Sequence, residues 1–143
     1  MIGDCVIDAS VGIKLFLVEE GSEMADQLFD QLVANPATTF YAPDLFYVEC
    51  ANVLWKYVRR FGYAAERAYQ DVVDLQSLRL QTISTIDLLL PALELALAYD
   101  LTTYDACYVA LARLLHCPFI TADGILARKV LASEIDVRLL ADL

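Results

Sequence analysis

Histidine occurs once in these 143 residues, at His116, and no two of the four cysteines form a Cys-x-x-Cys pair. Zinc centres are built from clustered thiolates and imidazoles, so this chain is poorly supplied for one. A disulfide framework is not expected either, because a chain of this length buries a real core without staples. Cysteines set in apolar runs behave as small buried hydrophobes. Cys50 and Cys107 lie close to acids, which leaves a redox role as the one thiol chemistry to consider. Positive charge is also scarce: Lys and Arg total 10 against 20 Asp and Glu, for a formal net charge of −10. That is the reverse of the basic footprint of most nucleic-acid binders. A nucleic-acid substrate would have to be drawn by bound cations and a local cluster of Lys and Arg, and the acidity equally suits a basic protein partner. No apolar run approaches the roughly 18 uncharged residues of a membrane span. The opening Met1 to Cys5 has no basic stretch ahead of its apolar residues, so no secretory leader is expected and a cytoplasmic location is the default.

What the chain has in abundance is apolar residues, 59% of the total, broken into short pieces. Val6–Asp8 reads as a first strand, and 9–16 as a helix that Asp8 or Ser10 can cap. Gly21-Ser22-Glu23 opens a second helix that Asn35-Pro36 stops. Thr38–Ala42 is β-branched and aromatic, a second strand. Pro43-Asp44 starts a helix over 44–60, and another amphipathic helix covers 64–80. Residues 81–86 alternate as a third strand, 87–99 are helical with Pro91 in the first turn, and Thr102 or Thr103 caps a helix ending near His116. A buried strand over 118–122, a helix over 123–131 and a last strand over 137–140 complete the chain. Strands alternating with helices predict an α/β fold with a mostly parallel sheet. No linker or repeat interrupts it, so one domain spanning 1–143 is expected.

Four acids stand where an apolar run stops or a helix starts: Asp8, Glu49, Asp105 and Asp123. In a parallel sheet, strand C-termini and the helix N-termini that follow share one edge. A helix of about 13 residues after Thr103 rises roughly 20 Å, and the strand after it returns roughly 17 Å. Asp123 therefore comes level with Asp105, and Asp8 ends the first strand on the same edge. Glu49 lies about 7.5 Å along its helix from Asp44, within reach of that edge. Two unit charges 4 Å apart repel by about 1 kcal/mol in water and about 4 at an effective dielectric of 20. A hard divalent cation, magnesium or manganese, relieves such a cluster through oxygen ligands. Metal-dependent chemistry on phosphate is the first function this suggests. Asn52, Val53 and Lys56 share a helical face with Glu49. Asn52 can orient a carboxylate or a water, while Lys56, with Arg59 and Arg60 a turn later, can neutralise phosphate oxygens. Ser10 and Thr121 each lie two residues from an acid and offer hydroxyls.

Each residue also has a plain structural reading. Asp8 and Asp123 can be N-caps, and Asp105 a first-turn acid favoured by the helix dipole. Lys56, Arg59 and Arg60 suit a helix C-terminus, Ser10 a cap, and Thr121 a satisfied strand hydroxyl. Tyr104, Tyr108 and Trp55 read as core or dimer contacts rather than platforms for bases. Glu49, in the middle of a helix beside Val48, Cys50 and Ala51, has no such explanation unless solvated or ion-paired. The case for a site rests on joint placement.

Val6-Ile7-Asp8-Ala9-Ser10, the run from Ala42-Pro43-Asp44-Leu45 to Glu49-Cys50-Ala51-Asn52-Val53-Leu54-Trp55, Leu101–Ala112 around Asp105, and Ile120-Thr121-Ala122-Asp123 together resemble the four motifs of the PIN-domain ribonucleases. The resemblance is strongest to the VapC-type toxins of toxin–antitoxin pairs and runs nearly end to end. It implies a three-layer α/β/α sandwich, a homodimer, and a cytoplasmic endoribonuclease inhibited by a small antitoxin protein. It further implies that Asp8, Glu49, Asp105 and Asp123 hold one or two Mg²⁺ or Mn²⁺ ions for hydrolysis of RNA by an activated water. Asp8 and Asp105 would be the foremost ligands, Asp123 a direct or outer one, and Glu49 a positioning group. One departure stands out: the family often has a basic residue after the last acid, where this chain has Gly124.

Two other readings stay open. The first, prompted by Gly124 and the net charge, is a catalytically weak or inactive PIN-like module acting as a protein- or RNA-binding dimer. The second is a phosphoryl-accepting or haloacid-dehalogenase-like domain, which also carries an Asp after its first strand. Asp8-Ala9-Ser10 lacks that group's second acid two residues on.

Overall fold

A computed structural model describes residues 2–143 and places five strands in one sheet between helices. Met1, included in both the expected 1–143 domain and the leaderless start, lies outside the described residues. The strands are β1 (Cys5–Ile7), β2 (Phe40–Pro43), β3 (Leu80–Ile83), β4 (Phe119–Thr121) and β5 (Val137–Leu139). Their order is β3-β2-β1-β4-β5, and every pairing is parallel. The expected α/β/α sandwich forms, around a sheet parallel throughout. The central β1 and β4 are wholly buried, as strands covered on both faces must be. Val6 pairs with Phe119 and Ile7 with Ile120, so the two strands end side by side. From β1 the chain winds outward to β2 and β3, then crosses back to β4 and β5. The reversal lies between β1 and β4, and open parallel sheets bind ligands beyond the strand ends at such a point.

The helices among the described residues are α1 (Ala9–Gly12), α2 (Ser22–Ala34), α3 (Leu45–Arg60), α4 (Ala65–Gln76), α5 (Leu89–Tyr99), α6 (Thr103–Leu115) and α7 (Gly124–Val130). Asn35 closes α2, and Thr102 opens α6 by accepting the Asp105 N–H. α6 is buried without a break from Ala106 to Ala112, so this helix runs through the core rather than over it. Pro91 is the third residue of α5, where its missing N–H costs nothing.

The first two strands fall at Cys5–Ile7 and Phe40–Pro43 in place of 6–8 and 38–42, and three larger differences from the sequence pattern have a local cause. The helix expected over 64–80 stops at Gln76, because Ser77 and Leu78 turn their N–H groups back to Asp74 and Leu75. Leu80 is thereby freed to pair with Phe40 as the first residue of β3. The strand expected over 81–86 accordingly ends at Ile83, and Thr85–Leu88 forms a 3₁₀ turn into α5. The helix expected over 9–16 is α1 followed by a 3₁₀ turn at Ile13–Leu15. A Cβ on Gly12 would stand 2.5 Å from the ring of buried Phe46 on α3. Glycine is what lets α1 lie directly against α3, bringing Asp8 and Ser10 towards Glu49.

Candidate active site

Asp8 follows β1 directly and is only 5% exposed. Its Oδ1 accepts from the Ser10 hydroxyl at 2.5 Å and the Val11 N–H at 3.3 Å, and its Oδ2 from the Thr121 hydroxyl at 2.6 Å. Each hydroxyl has one proton and two lone pairs. With both protons given to Asp8, the oxygens are left to accept: Ser10 takes the Ala122 N–H at 3.0 Å, and Thr121 the Asp123 N–H at 3.1 Å. This lattice joins the ends of β1 and β4. Burial nevertheless outweighs the hydrogen bonds and pushes the Asp8 carboxyl up from 3.8 to about 6.

Glu49 is the fifth residue of α3 and half-buried. Its Oε1 accepts from the Tyr108 hydroxyl at 2.6 Å. Tyr108, a turn beyond Asp105 on α6, is itself buried, with its ring stacked on Phe119. Burial raises the Glu49 carboxyl, the Tyr108 bond opposes this, and Asp105 raises it further. Burial and the neighbouring acids drive the Tyr108 phenol far upward, so it remains a donor. Asp105 is half-buried in the first turn of α6. Burial and then Asp123 raise its carboxyl, against the opposing pull of Thr102 and Lys129. Asp123 caps α7, its Oδ1 accepting the Ile125 and Leu126 N–H groups at 3.0 and 3.1 Å while Oδ2 is left over.

All four acids line one cavity of about 540 Å³ at this edge of the sheet, together with Ser10, Asn52, Lys56 and Tyr104. The N-cap readings of Asp8 and Asp123 are also true: capping and convergence are the same placement. Thr121 stands behind Asp8 rather than on the cavity wall. Lys56 reaches the cavity, whereas exposed Arg59 and Arg60 lie further along α3, outside its lining. Among the described residues, no three acids, thiols or imidazoles as placed close on a single point. The donor set is oxygen only, and its carboxylates raise one another's pKa values. Those are the properties a hard divalent cation fits. A larger cavity, about 650 Å³, lies at the far end of α6 around His116 and Glu134, away from these acids. Cys50 and Cys107 are buried with thiols pushed upward, so neither presents a thiolate.

The sequence profile of the PIN domain matches residues 5–130. The chain belongs to the PIN domain family. Among its relatives, ribonuclease VapC3 of Pyrobaculum aerophilum is 36% identical over 126 residues, covering 87% of this PIN domain chain and 92% of that protein. Among solved structures, PAE2754 from the same organism superposes with a TM-score of 0.69 at 19% identity, covering 98% of this chain and 85% of that one. A toxin–antitoxin complex from Klebsiella pneumoniae gives 0.66 at 20% identity, covering 95% and 97%. At those identities the two structures bear on the fold.

Three residues of this PIN domain site escaped the sequence pattern. Tyr108 has the spacing of a core residue and is one, but its hydroxyl ends on Glu49. Tyr104 is not core: it is 69% exposed on the cavity wall. Lys129 sits six residues past Asp123, and its charge reaches Asp105. For Tyr108 the signal was available, since it shares a helical face with Asp105 at i, i+3.

Proposed function

We propose that this PIN domain is an endoribonuclease dependent on Mg²⁺ or Mn²⁺, and the toxin of a toxin–antitoxin pair. One observation carries the reading: four carboxylates from four distant segments line one cavity, with Lys56 beside them. The relative named a ribonuclease supports it. Asp8 and Asp105 would hold the cation, with Asp123 offering its uncommitted Oδ2. When bound, the cation supplies charge neutralisation and an activated water for in-line attack on the phosphodiester.

The chain's own groups position the rest. Ser10 and Thr121 fix the Asp8 carboxylate from both sides, and Tyr108 holds Glu49. Asn52 presents its amide at the cavity one turn from Glu49, and Lys56 meets phosphate oxygens. Arg59 and Arg60 extend the positive stretch of α3 for the incoming strand. Tyr104 offers a ring face to a base, a contact indifferent to sequence. The toxin role brings an antitoxin that covers the cavity, and a second copy of this chain is a further proposed partner. Among the described residues no helix is long and apolar enough to cross a membrane, and the cytoplasm is the proposed place of action.

The test is RNA cleavage with Mg²⁺ or Mn²⁺ by the wild type, Asp8→Asn and Asp105→Asn. The wild type is expected to cleave, with each variant reduced at least about a hundredfold, the scale on which charge stabilisation is lost. Wild-type rates in either variant would refute the assignment. The non-catalytic reading draws on Gly124 and the −10 charge. Cleavage abolished by one of these substitutions rejects it.

A further inference from the structure

The cavity does not end at the acids. Beyond Asp105 and Asp123, which line both spaces, a second recess of about 290 Å³ opens between the α5–α6 turn and α7. A ligand long enough to occupy both must cross those two carboxylates. Lys129 is the only cation lining this recess among the described residues, as Lys56 is in the main cavity. An ammonium has three donor hydrogens. The Asp100 carbonyl takes one at 2.7 Å. The Asp100 carboxylate stands off at 3.7 Å and is fully exposed, so water screens that pair. Lys129 is thus anchored and still has donors to offer.

α7 sorts its two basic residues: Lys129 faces the acids, while neighbouring Arg128 lines a separate cavity with Leu131 and Arg138. Exposed Ile125 adds an apolar wall to the recess. Two cations on opposite sides of a carboxylate pair suit a ligand with repeated single negative charges joined by apolar and ring elements. A single-stranded phosphodiester has that pattern.

We propose that this recess is a second nucleotide subsite, in which Lys129 binds the phosphate adjoining the scissile one. This rests on the ribonuclease reading above. The experiment measures binding of a short fluorescent single-stranded oligoribonucleotide to protein carrying Asp8→Asn, across a range of salt concentrations. Adding Lys129→Met is expected to weaken binding several-fold and to reduce the slope of log K against log salt by about 0.7, the share of one phosphate on a single strand. Lys129→Arg keeps the slope. Arg113→Met, in the last turn of α6, leaves it unchanged and serves as the control. A purely structural Lys129, holding Asp100, would alter thermal stability without moving the slope, and an unchanged slope in Lys129→Met overturns the subsite. If the wild type cleaves RNA in that case, the ribonuclease reading survives and only the subsite falls. If the wild type cleaves no RNA, both fall.

Discussion

Asp8 is the one buried acid of the four that line the cavity. A carboxyl raised from 3.8 to about 6 holds its proton in the folded state where the unfolded chain has released it. The stability this contributes is complete below about pH 4 and is lost as pH rises through about 6. A shift of that size corresponds to about 3 kcal/mol. Glu49 and Asp105, also displaced upward, add contributions of the same sign. Thermal unfolding of cation-free protein from pH 4 to 7 should therefore show wild-type stability falling relative to Asp8→Asn, in which asparagine keeps the cap. Parallel curves for the two proteins would mean that Asp8 is not buried as described.

Between α1 and α3, the close approach depends on one missing methyl. Gly12→Ala places a Cβ against the buried Phe46 ring, and overpacking of this kind costs about 1–3 kcal/mol. The denaturation midpoint should fall accordingly, and cleavage should fall with it because Ser10 moves away from Glu49. At this scale much was legible. Asp8, Asp105 and Asp123 lie at helix starts, which capping residues and apolar runs mark plainly, and Glu49 was conspicuous as an acid with no capping position. The end of α4 was not legible: Leu78 and Leu80 continue its helical spacing, and only pairing with Phe40 decides that Leu80 is strand. Lys129 was hidden for the same reason. Its meaning comes from α7 packing beside the α5–α6 turn, an approach no local spacing records.

Over the whole molecule, α5 presents an apolar surface in keeping with the proposed dimer. Leu90, Leu93 and Leu97 recur along one exposed side, Leu97 at 79%, with Leu89 and Ile86 beside them. Chains of net charge −10 repel at a distance, so an exposed patch of leucines is where two copies can meet with little charge in contact. Leu97→Glu should convert a dimer to a monomer in light scattering while leaving the circular dichroism spectrum unchanged. A wild type that is monomeric at high concentration would remove this role for α5.

The proposed role of the four carboxylates, to hold a divalent cation in the cavity they line, is tested most directly by thermal unfolding of the apo protein titrated with Mn²⁺. A cation that binds only the folded state stabilises it by about 2.7 kcal/mol at a hundredfold excess over Kd. The wild type should show a saturable rise in Tm at millimolar Mn²⁺, reproduced by Mg²⁺ and lost in Asp105→Asn. A flat response in the wild type, or the same rise in Asp105→Asn, would contradict the site.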